Sequence, residues 1–81
     1  LWMEFAVLVS RQAAADELIE KEALVKEKII GMLHDLPGDR LHGAEGKMEL
    51  KRRMVRVLNE ILTSGAAREV YLVDFLTDSH R

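Results

Sequence analysis

The stretch that most constrains the fold is Ala44 through Thr77, because the spacing of its apolar residues changes abruptly part-way along. From Lys47 to Ser64, the residues Leu50, Met54, Val57, Leu58, Ile61 and Leu62 fall on one face of a 3.6-residue period, which is the pattern of an amphipathic helix. Lys51, Arg52, Arg53, Arg56 and Glu60 fall on the other face. Ser64-Gly65 then stops the helix, with Gly65 free to adopt a left-handed cap. From Glu69 to Thr77 the pattern is that of a strand, with Tyr71, Val73 and Phe75 on one face and Val70, Leu72, Asp74 and Leu76 on the other. Both faces are largely apolar, so helices should cover one side and something else should touch the second.

The first half of the chain mirrors this unit, strand first and helix second. Between Leu1 and Ser10 the odd positions Leu1, Met3, Phe5, Val7 and Val9 are all apolar, while the even positions are mixed. Period-two alternation with β-branched and aromatic content predicts a half-buried strand. Arg11 to Asp35 reads as one long helix, opened by Ala13-Ala14-Ala15 and by Asp16, Glu17 and Glu20 near its start, where the helix dipole favours negative charge. Leu18, Val25, Ile29, Met32, Leu33 and Leu36 form its apolar stripe, and Ile19, Ala23 and Ile30 widen it. Gly31 marks either a close backbone approach or simple tolerance. Leu36-Pro37-Gly38-Asp39 ends the helix. Arg40 to Gly46 is then a pliable connector anchored by Leu41.

The order is therefore β-α-α-β, an α+β fold in which a helical hairpin packs on a small antiparallel sheet. At 81 residues this is one small domain, which buries only about 60–65% of the surface its unfolded chain exposes. A two-stranded sheet is marginal alone, so an upstream strand or another subunit is expected to extend it. The chain opens at Leu1, already inside an apolar stretch, and upstream sequence is expected for that reason. No apolar run approaches the ~20 residues of a membrane span.

Few residues are arranged for chemistry. There is no cysteine, which excludes disulfides and cysteine–zinc sites. His34 and His42 flank a turn that also holds Asp35 and Asp39, but this spacing matches no metal-ligand motif, and His80 stands apart in a polar tail, Asp78 to Arg81, expected to fray. The hydroxyls Ser10, Thr63, Ser64, Tyr71, Thr77 and Ser79 occupy no nucleophile-elbow pattern. The carboxylates Asp16-Glu17 and Glu20/Glu22 lie beside Lys21, Lys26 and Lys28 and read as solvated i,i+4 pairs. No phosphate-binding glycine pattern is present, and the connector lacks the GxxG loop of a KH module. No catalytic residue, metal or cofactor is assigned.

Charge is the most visible polar feature. The overall formal charge is −2, which argues against a dominant attraction to nucleic acid or anionic membrane. It is distributed unevenly. Lys47 to Glu60 carries five cations (Lys47, Lys51, Arg52, Arg53, Arg56) against two carboxylates, and Asp16 to Asp35 carries six carboxylates against three cations. The five cations are the candidate partner-binding residues. Either both faces are simply solvated, or the acidic helix of one copy meets the basic helix of the next, a head-to-tail contact that can close into a ring. A nucleic-acid patch is the third reading, although exposed aromatics do not interleave with the cations.

Glu45-Gly46-Lys47 with Leu50, the run Leu58-Asn59-Glu60-Ile61-Leu62 and the strand Val70-Tyr71-Leu72-Val73-Asp74-Phe75 together resemble the C-terminal part of the flagellar basal-body-associated FliL family. The first half is similar too, an apolar strand running into a helix that ends Ile29-Ile30-x-x-Leu33. The chain departs from the pattern at Leu72-Val73, where an aromatic–Thr pair is common, and at Pro37-Gly38-Asp39-Arg40, where the connector is usually Ser-rich. The resemblance implies a non-enzymatic accessory protein, the periplasmic domain of a single-pass inner-membrane protein. It also implies a stomatin-like (SPFH) fold, ring assembly and association with the flagellar stator in support of torque or swarming. On that reading the strand and membrane helix that precede the domain lie upstream of this chain. The competing reading is a small cytosolic nucleic-acid-binding module that uses Lys51, Arg52, Arg53 and Arg56.

Overall fold

A computed structural model describes residues 2–36 and 43–76. The elements run β1 (Trp2–Val9), α1 (Gln12–Glu20), α2 (Glu22–His34), α3 (Gly43–Ile61) and β2 (Ala67–Leu76). The expected turn at Pro37 to Arg40, the anchor Leu41 and the tail from Asp78 to Arg81 lie outside the described residues.

The fold is α+β, with three helices on one face of a two-stranded antiparallel sheet. β1 presents Phe5, Val7 and Val9 inward, half-buried, and leaves Glu4, Ala6 and Leu8 exposed, as its alternation requires. The apolar stripe of α3 makes the centre of the core: Leu50, Met54 and Leu58 are fully buried, against Val70 of β2 and Ile29 and Leu33 of α2. Spacings of three and four residues place those side chains on one line facing the sheet.

Several boundaries and faces differ from expectation. The first helical stretch is two helices, interrupted at Lys21, whose φ of −101° and ψ of 28° leave the helical region. Only the inner stripe is covered; Ile19 and Ile30 are 72% and 53% exposed rather than widening it. Gly31 has open space around the position of a Cβ, so tolerance explains it. α3 begins at Gly43, with φ +80°, so Gly43 to Gly46 are helical rather than a pliable connector.

β2 carries two extra residues relative to β1. The register jumps from Leu8↔Glu69 to Val9↔Ala67, and from Glu4↔Asp74 to Phe5↔Leu72, so Arg68 and Val73 have no partner on β1. These are β-bulges, which add a residue to one strand and sharpen its twist. Strict alternation along β2 therefore fails. Val70 and Leu72 face the helices, and beyond Val73 the register pairs Phe75 with Met3. The second face of β2 is open where described, with Tyr71 exposed and Val73 59% exposed.

The Ser64-Gly65 segment does not form a left-handed cap. α3 ends at Ile61, and a carboxylate from a distant part of the chain holds Thr63 and Ser64. Glu17, only 8% exposed, accepts the backbone N–H groups of Thr63 at 2.9 Å and Ser64 at 3.0 Å. It also accepts the Thr63 hydroxyl at 2.9 Å, the Ser64 hydroxyl at 2.6 Å and the Lys21 ammonium at 2.6 Å. The pair with Lys21 was expected, but as a solvated one. Lys21 in addition reaches the Ile61 carbonyl at 3.5 Å, where the negative end of α3 favours a cation. Close by, the Ser10 N–H donates to the Ala66 carbonyl at 2.9 Å, continuing the β1–β2 ladder past its end, and the Ala66 N–H donates to the Ser10 hydroxyl oxygen at 2.9 Å. Gly65 is needed here for proximity. A Cβ at this position would stand 2.9 Å from both the Ala14 Cβ and the Ser10 Oγ.

Lys21 first, then Ser64 and Thr63, hold the Glu17 carboxyl well below the usual carboxylate range, against the opposing effect of burial. A carboxyl with a lowered folded-state pKa adds stability that is complete above its unfolded value, near 4.3, and is lost as pH falls through the folded one. Glu17→Gln is expected to lower stability at pH 7 and to flatten the loss below about pH 5, with about one proton fewer taken up on unfolding; urea midpoints measured from pH 2 to 7 read both. Gly65→Ala is expected to cost about 1–3 kcal/mol through overpacking against α1, read as a fall in urea midpoint at unchanged slope.

Candidate functional site

The outward side of α3 carries the five cations singled out from sequence, and the fold sorts them into three environments. Arg52 and Arg53 share one acceptor: Arg52 Nη2 lies 2.8 Å from Glu49 Oε1, and Arg53 Nε lies 2.8 Å from Glu49 Oε2. Hydrogen bonds from Arg52, then Arg53, draw the Glu49 carboxyl down to about 2. Spacings of three and four residues along one helix make this arrangement possible. Lys51 leans over the Tyr71 ring, with its ammonium 5.9 Å from the centroid, a cation–π distance. Lys47 and Arg56 are exposed and form no ion pair among the described residues.

Lys51, Arg52 and Arg56 come together in a groove of about 450 Å³ between α3 and β2. Lys47 and Arg53 do not line it. Met48, 56% exposed, and Val55 supply its apolar lining, and Arg68, Glu69 and Val70 its β2 wall. Met48, Lys51, Arg52, Val55 and Arg56 form a single i, i+3, i+4, i+7, i+8 stripe, which was legible in the sequence. Arg68 was not, because only the placement of β2 beside that stripe adds a fourth cation.

Asn59 continues the same stripe by one more turn of α3. Its amide nitrogen donates to the Ala67 carbonyl at 3.1 Å, and its carbonyl oxygen accepts the Ala67 N–H at 2.8 Å. Both Ala67 groups therefore point away from β1, and Asn59 satisfies them as a neighbouring strand would. This gives Asn59, within the Leu58-Asn59-Glu60 run, a structural reason.

A second concavity, about 660 Å³, lies over Glu17, Glu20, Lys21, Thr63 and Ser64. Here the hydroxyls of Thr63 and Ser64 donate to a carboxylate held strongly ionised, and so weak a base is poorly matched to proton abstraction near neutral pH. His34 and Asp35 are exposed at the end of α2, while Asp39 and His42 lie outside the described residues. Among the described residues no group of three or more potential ligands gathers for a metal ion. Nor is any described helix long and apolar enough to cross a membrane.

Comparison with known proteins places this architecture. The family model of the flagellar basal body-associated protein FliL matches residues 1–77. The chain belongs to the FliL family. It is 28% identical over 68 residues to a flagellar protein FliL of Aquifex aeolicus (strain VF5), covering 84% of this chain and 42% of that one. It is 30% identical over 60 residues to a flagellar protein FliL of Bacillus subtilis (strain 168), covering 74% and 43%. The chain thus spans less than half the length of these relatives. The FliL family is flagellar basal-body associated.

Asn59→Ala removes both bonds to Ala67 and is expected to cost about 1–2 kcal/mol, with faster amide exchange at Ala67 and little change at the Glu17 junction; native-state hydrogen exchange separates the two.

Proposed function

We propose that this chain is the periplasmic domain of a single-pass inner-membrane protein that acts without catalysis at the flagellar basal body. It associates with the motor stator, supports torque or swarming, and works as an assembly of copies. The match to the flagellar basal body-associated family across residues 1–77 carries this reading. The charge layout adds support for assembly. Asp16, Glu20, Glu22 and Glu27 are exposed on α1 and α2, whereas Lys47, Arg52 and Arg56 are exposed on α3, so the acidic side of one copy complements the basic side of the next. Exposed ion pairs contribute little individually, but complementary fields set orientation and favour encounter. The cations Lys47, Lys51, Arg52, Arg53 and Arg56 are the partner-facing set in this scheme.

Light scattering of the full-length protein in detergent is expected to show oligomers that fall apart in Glu20→Lys/Glu27→Lys and reform when that variant is mixed with an Arg52→Glu/Arg56→Glu variant. A monomer at every concentration overturns the assembly. Loss of swarming in a deletion strain, with stator co-purification restored by the intact gene, is the expected cellular result; normal swarming without the gene overturns the motility role.

A further inference from the structure

The groove between α3 and β2 combines three features, of which the assembly scheme uses only the α3 cations. First, among the described residues β2 pairs on one side only, with β1. Alternate N–H and C=O groups along its other edge have no strand partner among those residues, which makes that edge a template for another strand. Second, Asn59 shows that this edge accepts a partner from the α3 side. It bonds both Ala67 groups at 2.8 and 3.1 Å, the contacts one residue of an added strand would make. Third, the groove walls carry Lys51, Arg52, Arg56 and Arg68 against Glu69, with Met48 and Val55 between the cations. Glu49 already engages Arg52, and Lys51 covers Tyr71, so of the groove's cations Arg56 and Arg68 have neither an ion pair nor a cation–π partner among the described residues.

We propose that this groove is a docking site for an extended segment of another protein, which adds as a strand to β2 and alternates carboxylate with apolar side chains. In a strand, successive side chains point to opposite faces. One face of the added segment would turn towards α3, where carboxylates meet Arg56 and Arg68 and apolar groups meet Met48 and Val55. Main-chain bonds supply affinity and the alternate side chains supply selectivity, which is the logic of strand addition. A second copy of this chain is a poorer occupant. Its acidic residues cluster on α1 and α2, whose backbone groups are already bonded within the helices. The inference rests on reading the chain as an interaction domain, and it names a partner chemistry for that domain.

The test uses the whole chain and a seven-residue peptide, Thr-Glu-Val-Glu-Val-Glu-Thr with blocked ends, followed by hydrogen–deuterium exchange and by titration. Binding is expected to slow exchange of alternate amides between Arg68 and Val73. It is expected to weaken as salt rises through roughly 0.1–0.5 M, and to fall by about tenfold or more in Arg56→Glu/Arg68→Glu, a variant whose melting should stay near that of the parent. Equal binding by the lysine version of the peptide overturns the charge selectivity. Equal binding by a version N-methylated at alternate amides overturns strand addition, as does binding without protection of β2. Protection of β2 that grows with protein concentration alone, and does not respond to peptide, assigns the edge to a second copy and overturns the proposal. Stator co-purification that persists in Arg56→Glu/Arg68→Glu while peptide binding is lost leaves the flagellar reading standing and separates the two.

Discussion

The carboxylate of Glu17 is the interaction on which the arrangement of the elements depends. It lies at the end of α1, yet its partners Thr63 and Ser64 are more than forty residues away, in the turn that carries α3 into β2. Five donors converge on its two oxygens, which offsets the cost of removing a charge from water. The same residues fix the entry to β2, and through the Ser10–Ala66 bonds they align it with β1. A core of Leu50, Met54, Leu58 and Val70 can choose which faces come together. It cannot by itself choose how far one element slides along another. A directional set of bonds can.

From that junction the functional surface follows. With the start of β2 set beside the last turns of α3, the α3 stripe from Met48 to Asn59 must run along the unpaired edge of the sheet. Asn59 takes the first backbone position, and the cations line the groove beside the following residues. The groove is thus a by-product of the same geometry that closes the core.

Much of this was legible in the residues. Two alternating stretches and two 3.6-periodic ones yielded the β-α-α-β order, and Leu50, Met54, Leu58 and Leu62 were placed on the buried face. Motif resemblance yielded the family. What periodicity could not show was anything set by contacts between distant segments. Lys21 interrupts a run with no breaker in it, at the point where its side chain bonds Glu17 and Ile61. Glu17 itself looked like one more solvated acid, since nothing local marks the donors that reach it from Thr63 and Ser64. The bulges at Arg68 and Val73 shift the phase of β2 without any glycine to announce them. Arg68 joined the candidate site for the same reason, through its position in three dimensions alone.

The pairing of β1 with β2 also sets a timetable for folding. The two strands stand at opposite ends of the described chain, and even their nearest partners in sequence, Val9 and Ala67, enclose all three helices between them. No part of the sheet can form until the last helix has been made and has turned back, so closing this long loop comes late. A nascent chain therefore carries β1, Trp2 to Val9, without its β2 partner until all three helices have been made. Such an edge is the kind of surface that chaperones engage and that misassembly exploits.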